Sequence, residues 1–156
     1  MTLPKLVILD RDGVLNFASS NPESPLYYVT KLEHVVIKPG VDEAIRLIEA
    51  HGIPIALVTK QRCISKGLVT REQVNLVNAR VARLLELPFT AVFIEEKEED
   101  KRKILETLIS KAPVKPSDMV MFDDSPREVK IAQTLGIAAY DGTYLLEAVK
   151  QVLHIS

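Results

Sequence analysis

The sequence predicts an α/β fold: a three-layer α/β/α sandwich built on a central parallel sheet. Two observations lead there. Short apolar runs alternate along the chain with longer segments of helical periodicity, the β-α-β-α order of a parallel sheet covered by helices. The runs are also continuously apolar rather than alternating, as strands buried on both faces are. A length of 156 residues, 47% hydrophobic and 26% charged, suits one compact soluble domain over residues 1–156.

The strands are expected at residues 5–9 (KLVIL), 53–58 (IPIALV), 90–94 (TAVFI), 119–122 (MVMF) and 137–140 (IAAY). The helices fall between them. Residues 41–50 put Val41, Ala44, Ile45 and Ile48 on one face. Residues 70–85 open with Thr70 and Gln73 in the spacing of a capping box, followed by an apolar stripe of Val74, Val77 and Val81. Asp100 is the expected cap of a helix over 101–110. Ser125, Pro126 and Glu128 read as N-cap, first-turn proline and capping-box acid of the next. The last helix is expected over 143–153, and the polar stretch 16–25 as a surface loop.

Ligands of such sheets bind beyond the carboxyl ends of the strands, so the residues just after each strand carry the interest. The first strand runs into Asp10-Arg11-Asp12-Gly13-Val14-Leu15-Asn16. One carboxylate there can attack phosphorus, a second can protonate a leaving oxygen and then deprotonate water, and the two together attract a hard cation. The second strand ends in Thr59-Lys60-Gln61, whose hydroxyl and backbone N–H groups suit phosphate oxygens. The fourth ends in Asp123-Asp124, a metal-ligand pair or a helix-capping acid pair. A lysine is needed between nucleophile and phosphate. Lys101 is the choice at its helix start, with Lys97 and Lys103 as competitors in the same charge run.

The order DRDGVLN, VTKQ, upstream lysine, FDD resembles the haloacid dehalogenase superfamily over nearly the whole chain, without room for a large cap domain. The resemblance is nearest to the histidinol-phosphate and heptose-bisphosphate phosphatases, through Tyr28-Val29, Pro39-Gly40-Val41 and the loop at residues 59–70. That loop is similar to their TNQSGIxRG at Thr59, Gln61, Ile64 and Gly67. Lys60 stands there for asparagine, Arg62-Cys63 for Ser-Gly and Lys66 for arginine. The resemblance implies Asp10 as nucleophile, Asp12 as general acid/base, Thr59 as phosphate binder and Lys101 as charge neutraliser. It implies Mg2+ held by Asp10, Asp123 and the Asp12 backbone carbonyl, with Asp124 assisting. Arg11, Asn16, Lys60, Gln61, Arg62 and Lys66 are the expected substrate contacts. The implied activity is hydrolysis of a small phosphorylated metabolite, a sugar phosphate or a histidinol-phosphate-like ester, through a phospho-aspartate.

Two rival functions keep the framework: a nucleic-acid 3′-phosphatase, and a catalytically silent binding domain. A net charge of −1 provides no bulk basic surface for a nucleic-acid strand. No apolar stretch approaches a membrane span, and the single cysteine, Cys63, excludes an internal disulfide. The expected location is the cytoplasm. Cys63 itself is expected to pack, and His34, His51 and His154 show no metal-ligand spacing. Tyr27 and Tyr28 are expected at a substrate entrance or in packing.

Overall fold

The computed structural model describes residues 2–18 and 28–156. Tyr27 and most of the loop expected over 16–25 lie outside the described residues. The described residues form a five-stranded, all-parallel sheet in the order β3-β2-β1-β4-β5. The strands are β1 (Leu6–Leu9), β2 (Ile55–Lys60), β3 (Ala91–Glu95), β4 (Met119–Asp123) and β5 (Ala138–Asp141). Among the described residues five α-helices alternate with them: α1 (Val41–Ala50), α2 (Arg71–Leu84), α3 (Arg102–Lys111), α4 (Pro126–Thr134) and α5 (Leu145–Val152).

Successive side chains of a strand face opposite ways, so each central strand feeds two cores. Val7 and Leu9 of β1, Ile55 and Leu57 of β2, and Val120 and Phe122 of β4 join α1, α5 and the end of α2. Leu6 and Ile8, Ala56 and Val58, and Met119 and Met121 join α3 and α4 on the other face. That double burial is why the runs are continuously apolar. A small third cluster, Cys63, Val74 and Ile94, packs under the loop after β2. Among the described residues no helix is long and apolar enough to cross a membrane.

The chain steps outward from β1 to β2 to β3, then crosses back to lay β4 against the other side of β1. The order therefore reverses at β1, and the crevice beyond the carboxyl ends of β1 and β4 is the switch point where such sheets bind ligands. Asp10 directly follows β1, and its N–H donates to the Phe122 carbonyl at 3.1 Å. Asp123 closes β4 and Thr59 lies near the end of β2.

The element edges differ from expectation for local reasons. β2 starts at Ile55, not at residue 53, because Pro54 has no N–H to give the ladder; its carbonyl still accepts from Val7 N–H at 3.0 Å. Lys101, not Asp100, occupies the N-cap of α3, and the Asp100 carboxylate reaches past it to accept from Arg102 N–H at 3.0 Å. Thr70 forms its full capping box with Gln73. The Ser125–Glu128 box is only half made: Ser125 accepts from Glu128 N–H at 3.4 Å, while the Glu128 carboxylate turns to a different N–H. α5 starts at Leu145 because Asp141 holds Thr143 in a turn through both its N–H and its hydroxyl.

Candidate active site

The turn after β1 is wound tightly, with the Arg11 carbonyl accepting from the N–H groups of Val14, Leu15 and Asn16 at 3.2, 2.9 and 3.3 Å. Gly13 sits in it at φ +89°, and a Cβ there would lie 2.1 Å from Oδ2 of Asp124. Both the backbone and the neighbouring carboxylate therefore demand glycine. The Lys38 ammonium fastens the turn, donating at 2.7 Å each to the carbonyls of Gly13 and Thr143.

Asp10, Asp123 and Asp124 each present a carboxylate oxygen within 4.8 Å of the others. Lys101 enters from the start of α3 with its side chain 2% exposed, and its Nζ donates to Asp10 Oδ1 and Asp123 Oδ2 at 2.7 Å each and to the Val58 carbonyl at 3.0 Å. Of the three lysines left open by the sequence, this is the one brought to the acids. Lys103 instead pairs with Glu98 in solvent, and Lys97 is exposed. Glu128, itself 2% exposed, anchors Lys101 by accepting its backbone N–H at 3.0 Å.

Burial pushes the Asp10 carboxyl well above its ordinary range; Lys101 opposes this, while Asp123 and Asp124 add to it. Burial likewise raises Asp124, against a hydrogen bond with Asp10. Burial disfavours the Lys101 ammonium, but Asp10 and Asp123 outweigh it and hold the lysine above its usual value, hence charged. Three carboxylates thus face one ammonium, and when all are ionised two negative charges are left over. Hard oxygen donors with surplus negative charge, in a space kept open by a glycine, fit a hard divalent cation such as Mg2+.

Asp12 points elsewhere. Its Oδ1 accepts from Arg11 Nε and Asn16 Nδ2 at 3.0 Å each, and its Oδ2 accepts from Arg11 Nη2 at 3.1 Å and Gln61 Nε2 at 3.0 Å. Burial works against the charge of Asp12, but the Arg11 guanidinium and these hydrogen bonds outweigh it and hold the carboxyl below its usual value. The Asp12 carboxylate is not part of the three-acid cluster.

Three of the expected substrate contacts make up this cage. Arg11, Asn16 and Gln61 are all 0% exposed, and each donates to the Asp12 carboxylate. Gln61 also donates to Thr59 Oγ1 at 2.9 Å and accepts a long contact from the Cys63 thiol at 3.7 Å. Cys63 is buried, and burial raises its thiol. The remaining basic side chains lie at the end of β2 and on the loop after it. Lys60 donates to the Glu99 carbonyl at 2.8 Å, Arg62 is half-buried, and Lys66 is exposed, 5.7 Å from the centre of the Tyr28 ring. A groove of about 490 Å³ beside β5 is lined by none of these residues.

Sequence reasoning missed Glu128 as the anchor of Lys101 and missed Asn78, whose Oδ1 accepts from Arg11 Nη1 at 2.8 Å. Asn78 had a visible signal: it shares the inward stripe of α2 with Val74, Val77 and Val81.

Residues 16–136 match the family model of haloacid dehalogenase-like hydrolases. The chain belongs to that hydrolase family. The match opens at Asn16, so the Asp10–Asp12 pair precedes it. Within the family, a D-glycero-D-manno-heptose-1,7-bisphosphate 7-phosphatase of Chlorobaculum tepidum is 34% identical over 85 residues, 54% of this chain and only 40% of that protein. A D-glycero-beta-D-manno-heptose-1,7-bisphosphate 7-phosphatase of Rhodopseudomonas palustris is 27% identical over 165 residues, 93% of this chain and 88% of that protein. The crystal structure of D,D-heptose 1,7-bisphosphate phosphatase from B. bronchiseptica, complexed with magnesium and phosphate, shares the fold. Its TM-score is 0.76 at 22% identity, covering 92% of this chain and 86% of that chain.

Proposed function

We propose that this family member is a Mg2+-dependent phosphomonoesterase, working through a phospho-aspartate at Asp10 on a small phosphorylated metabolite of the sugar-phosphate kind. The observation that carries the reading is the Lys101 ammonium bridging Asp10 and Asp123 at the switch point of the sheet, 2.7 Å from each. A buried cation shared by two acids is what a trianionic transition state needs, and it is costly to keep for packing alone.

The steps follow from the side chains. Asp10 attacks phosphorus in line through a carboxylate oxygen, forming an acyl phosphate as the P–O bond to the alcohol breaks. Lys101 spreads the charge that develops on the phosphoryl oxygens, and the Thr59 hydroxyl receives one of them. Asp12 is ionised in the free protein, and the charge of the arriving phosphate favours its protonation. Asp12 then gives that proton to the departing alkoxide, and takes one back from the water that attacks the acyl phosphate. Asp10, Asp123, Asp124 and the Asp12 carbonyl would hold Mg2+, which supplies Lewis-acid neutralisation of the phosphoryl oxygens when bound.

Support for the sugar-phosphate class comes from the heptose-bisphosphate phosphatases matched above and from the basic residues Lys60, Arg62 and Lys66 following Thr59, suited to a second anionic group. A lone buried thiol agrees with a cytoplasmic setting. The test is a screen of sugar mono- and bisphosphates, histidinol phosphate and aryl phosphates with Mg2+. Release of phosphate, lost on chelation, is expected; no release from any of them, with intact fold, would favour a silent binding domain.

A further inference from the structure

Behind the cage around Asp12 stands one more polar side chain. Asn78 is 4% exposed, on a stripe of α2 otherwise made of valines. An amide in such a place costs free energy unless it is hydrogen-bonded. Its single hydrogen bond runs from Arg11 Nη1 to its Oδ1 at 2.8 Å, and its Nδ2 has no partner among the described residues. The side chain is thus committed to Arg11. Arg11 in turn is wholly enclosed, and its Nε and Nη2 hold the two oxygens of Asp12 at 3.0 and 3.1 Å.

A guanidinium is flat and rigid, so contacts at all three of its nitrogens fix its plane. Two of those contacts are the Asp12 oxygens and the third is Asn78. Remove the third and a buried donor is stranded, which rotation of the guanidinium would relieve. The rotation would carry the paired carboxylate with it. Asn16 and Gln61 would still hold one oxygen each, so the carboxylate would pivot rather than detach.

We propose that Asn78 is a positioning residue for leaving-group protonation, acting through Arg11 to set the orientation of the Asp12 carboxyl. This rests on the phosphomonoesterase reading of the site. In the step concerned, the Asp10 O–P bond forms, the ester P–O bond breaks, and the Asp12 proton passes to the departing oxygen. A leaving group that is already stable as an anion does not need that proton, whereas a basic one does.

The experiment is therefore a leaving-group series: kcat/KM for phenyl, 4-nitrophenyl and 2,4-dinitrophenyl phosphate with Mg2+, in the wild type, Asn78→Leu and Asn78→Asp. In Asn78→Leu the rate on phenyl phosphate is expected to fall about 10²-fold, the scale of a misplaced catalytic group. On 2,4-dinitrophenyl phosphate it should fall by less than about threefold, because protonation contributes little there. Asn78→Asp keeps an acceptor facing Nη1 and should retain the wild-type dependence on leaving group. Should Asn78→Leu fail to fold, Asn78→Ala is compared with Asn78→Asp in its place. Equal losses across the series, or no loss on phenyl phosphate, would overturn the role of Asn78 while leaving the phosphatase reading intact. A wild type inactive on every member would overturn both.

Discussion

Replacing Lys101 by methionine removes the cation from the centre of the site while nearly keeping its volume. What remains is Asp10 and Asp123, buried, with Asp124 beside them and no ammonium among them. Breaking a buried ion pair from one side costs about 3–5 kcal/mol. With a urea m-value of about 2 kcal/mol/M for a domain this size, that moves the unfolding midpoint down by about 1.5–2.5 M at pH 7. The loss must also depend on pH in a definite direction. Asp10 already lies above its unfolded value, chiefly through burial, and losing Lys101 raises it further. A carboxyl raised on folding contributes stability that is full below the unfolded value, near pH 4, and lost as pH rises through the folded one. The deficit of Lys101→Met should therefore grow from pH 4 to pH 7. Mg2+ at about a hundredfold over its Kd should restore about 2.7 kcal/mol at pH 7. The assay is urea unfolding followed by circular dichroism at pH 4, 5.5 and 7, with and without Mg2+, beside turnover of an aryl phosphate. Turnover should drop at least about 10²-fold, the scale of losing one charge-stabilising donor. A midpoint at pH 7 within about 0.3 M of the wild type, taken with the same m-value, or turnover within about tenfold, would refute the placement of Lys101 as the shared cation.

Other consequences are simpler. Glu128→Ala strands the Lys101 N–H and should cost about 1–3 kcal/mol with a fall in kcat, whereas Glu128→Gln keeps an acceptor oxygen and should retain most of both; thermal melts and kinetics on the pair decide it. Gly13→Ala places a Cβ against Asp124 at φ +89° and should cost more than about 1 kcal/mol while weakening Mg2+ binding, measured by calorimetric titration; unchanged affinity would count against Asp124 at the cation site. Cys63 should resist an aromatic disulfide reagent at pH 8 in the native protein and react at once in urea, because it is buried and its thiol raised; rapid native labelling would contradict the packing under the loop.

The parts of this molecule that were legible in the sequence are those set by local pattern. Strands buried on both faces declare themselves as runs such as Leu6–Leu9, and α1 shows its inward face at Val41, Ala44, Ile45 and Ile48. The Thr70–Gln73 box needs only neighbours along the chain. Glu128 and Asn78 were invisible for the opposite reason. Their partners, Lys101 and Arg11, are 27 and 67 residues away and meet them only once the sheet has closed. A capping-box spacing also offered Glu128 a sufficient local explanation, which the fold then overrode. Arg11, a basic residue between two strand-end acids, looks available to an anionic ligand in the sequence. The tight turn at Gly13 instead folds it inward onto Asp12. Lys101 was picked out of a charged run by its place at a helix start. Its ammonium meets Asp10, 91 residues back along the chain, only once the sheet has closed.

The measurement that bears most directly on the central claim is chemical trapping of the phosphoryl group. A reaction with Mg2+ and an aryl phosphate is quenched in acid during the first turnover, reduced with borohydride and mapped by peptide mass spectrometry. An acyl phosphate at Asp10 would be reduced to homoserine at that position, and Asp10→Asn should show neither homoserine nor turnover. Steady turnover with Asp10 unmodified, or homoserine appearing at Asp12 or Asp123 instead, would contradict the account.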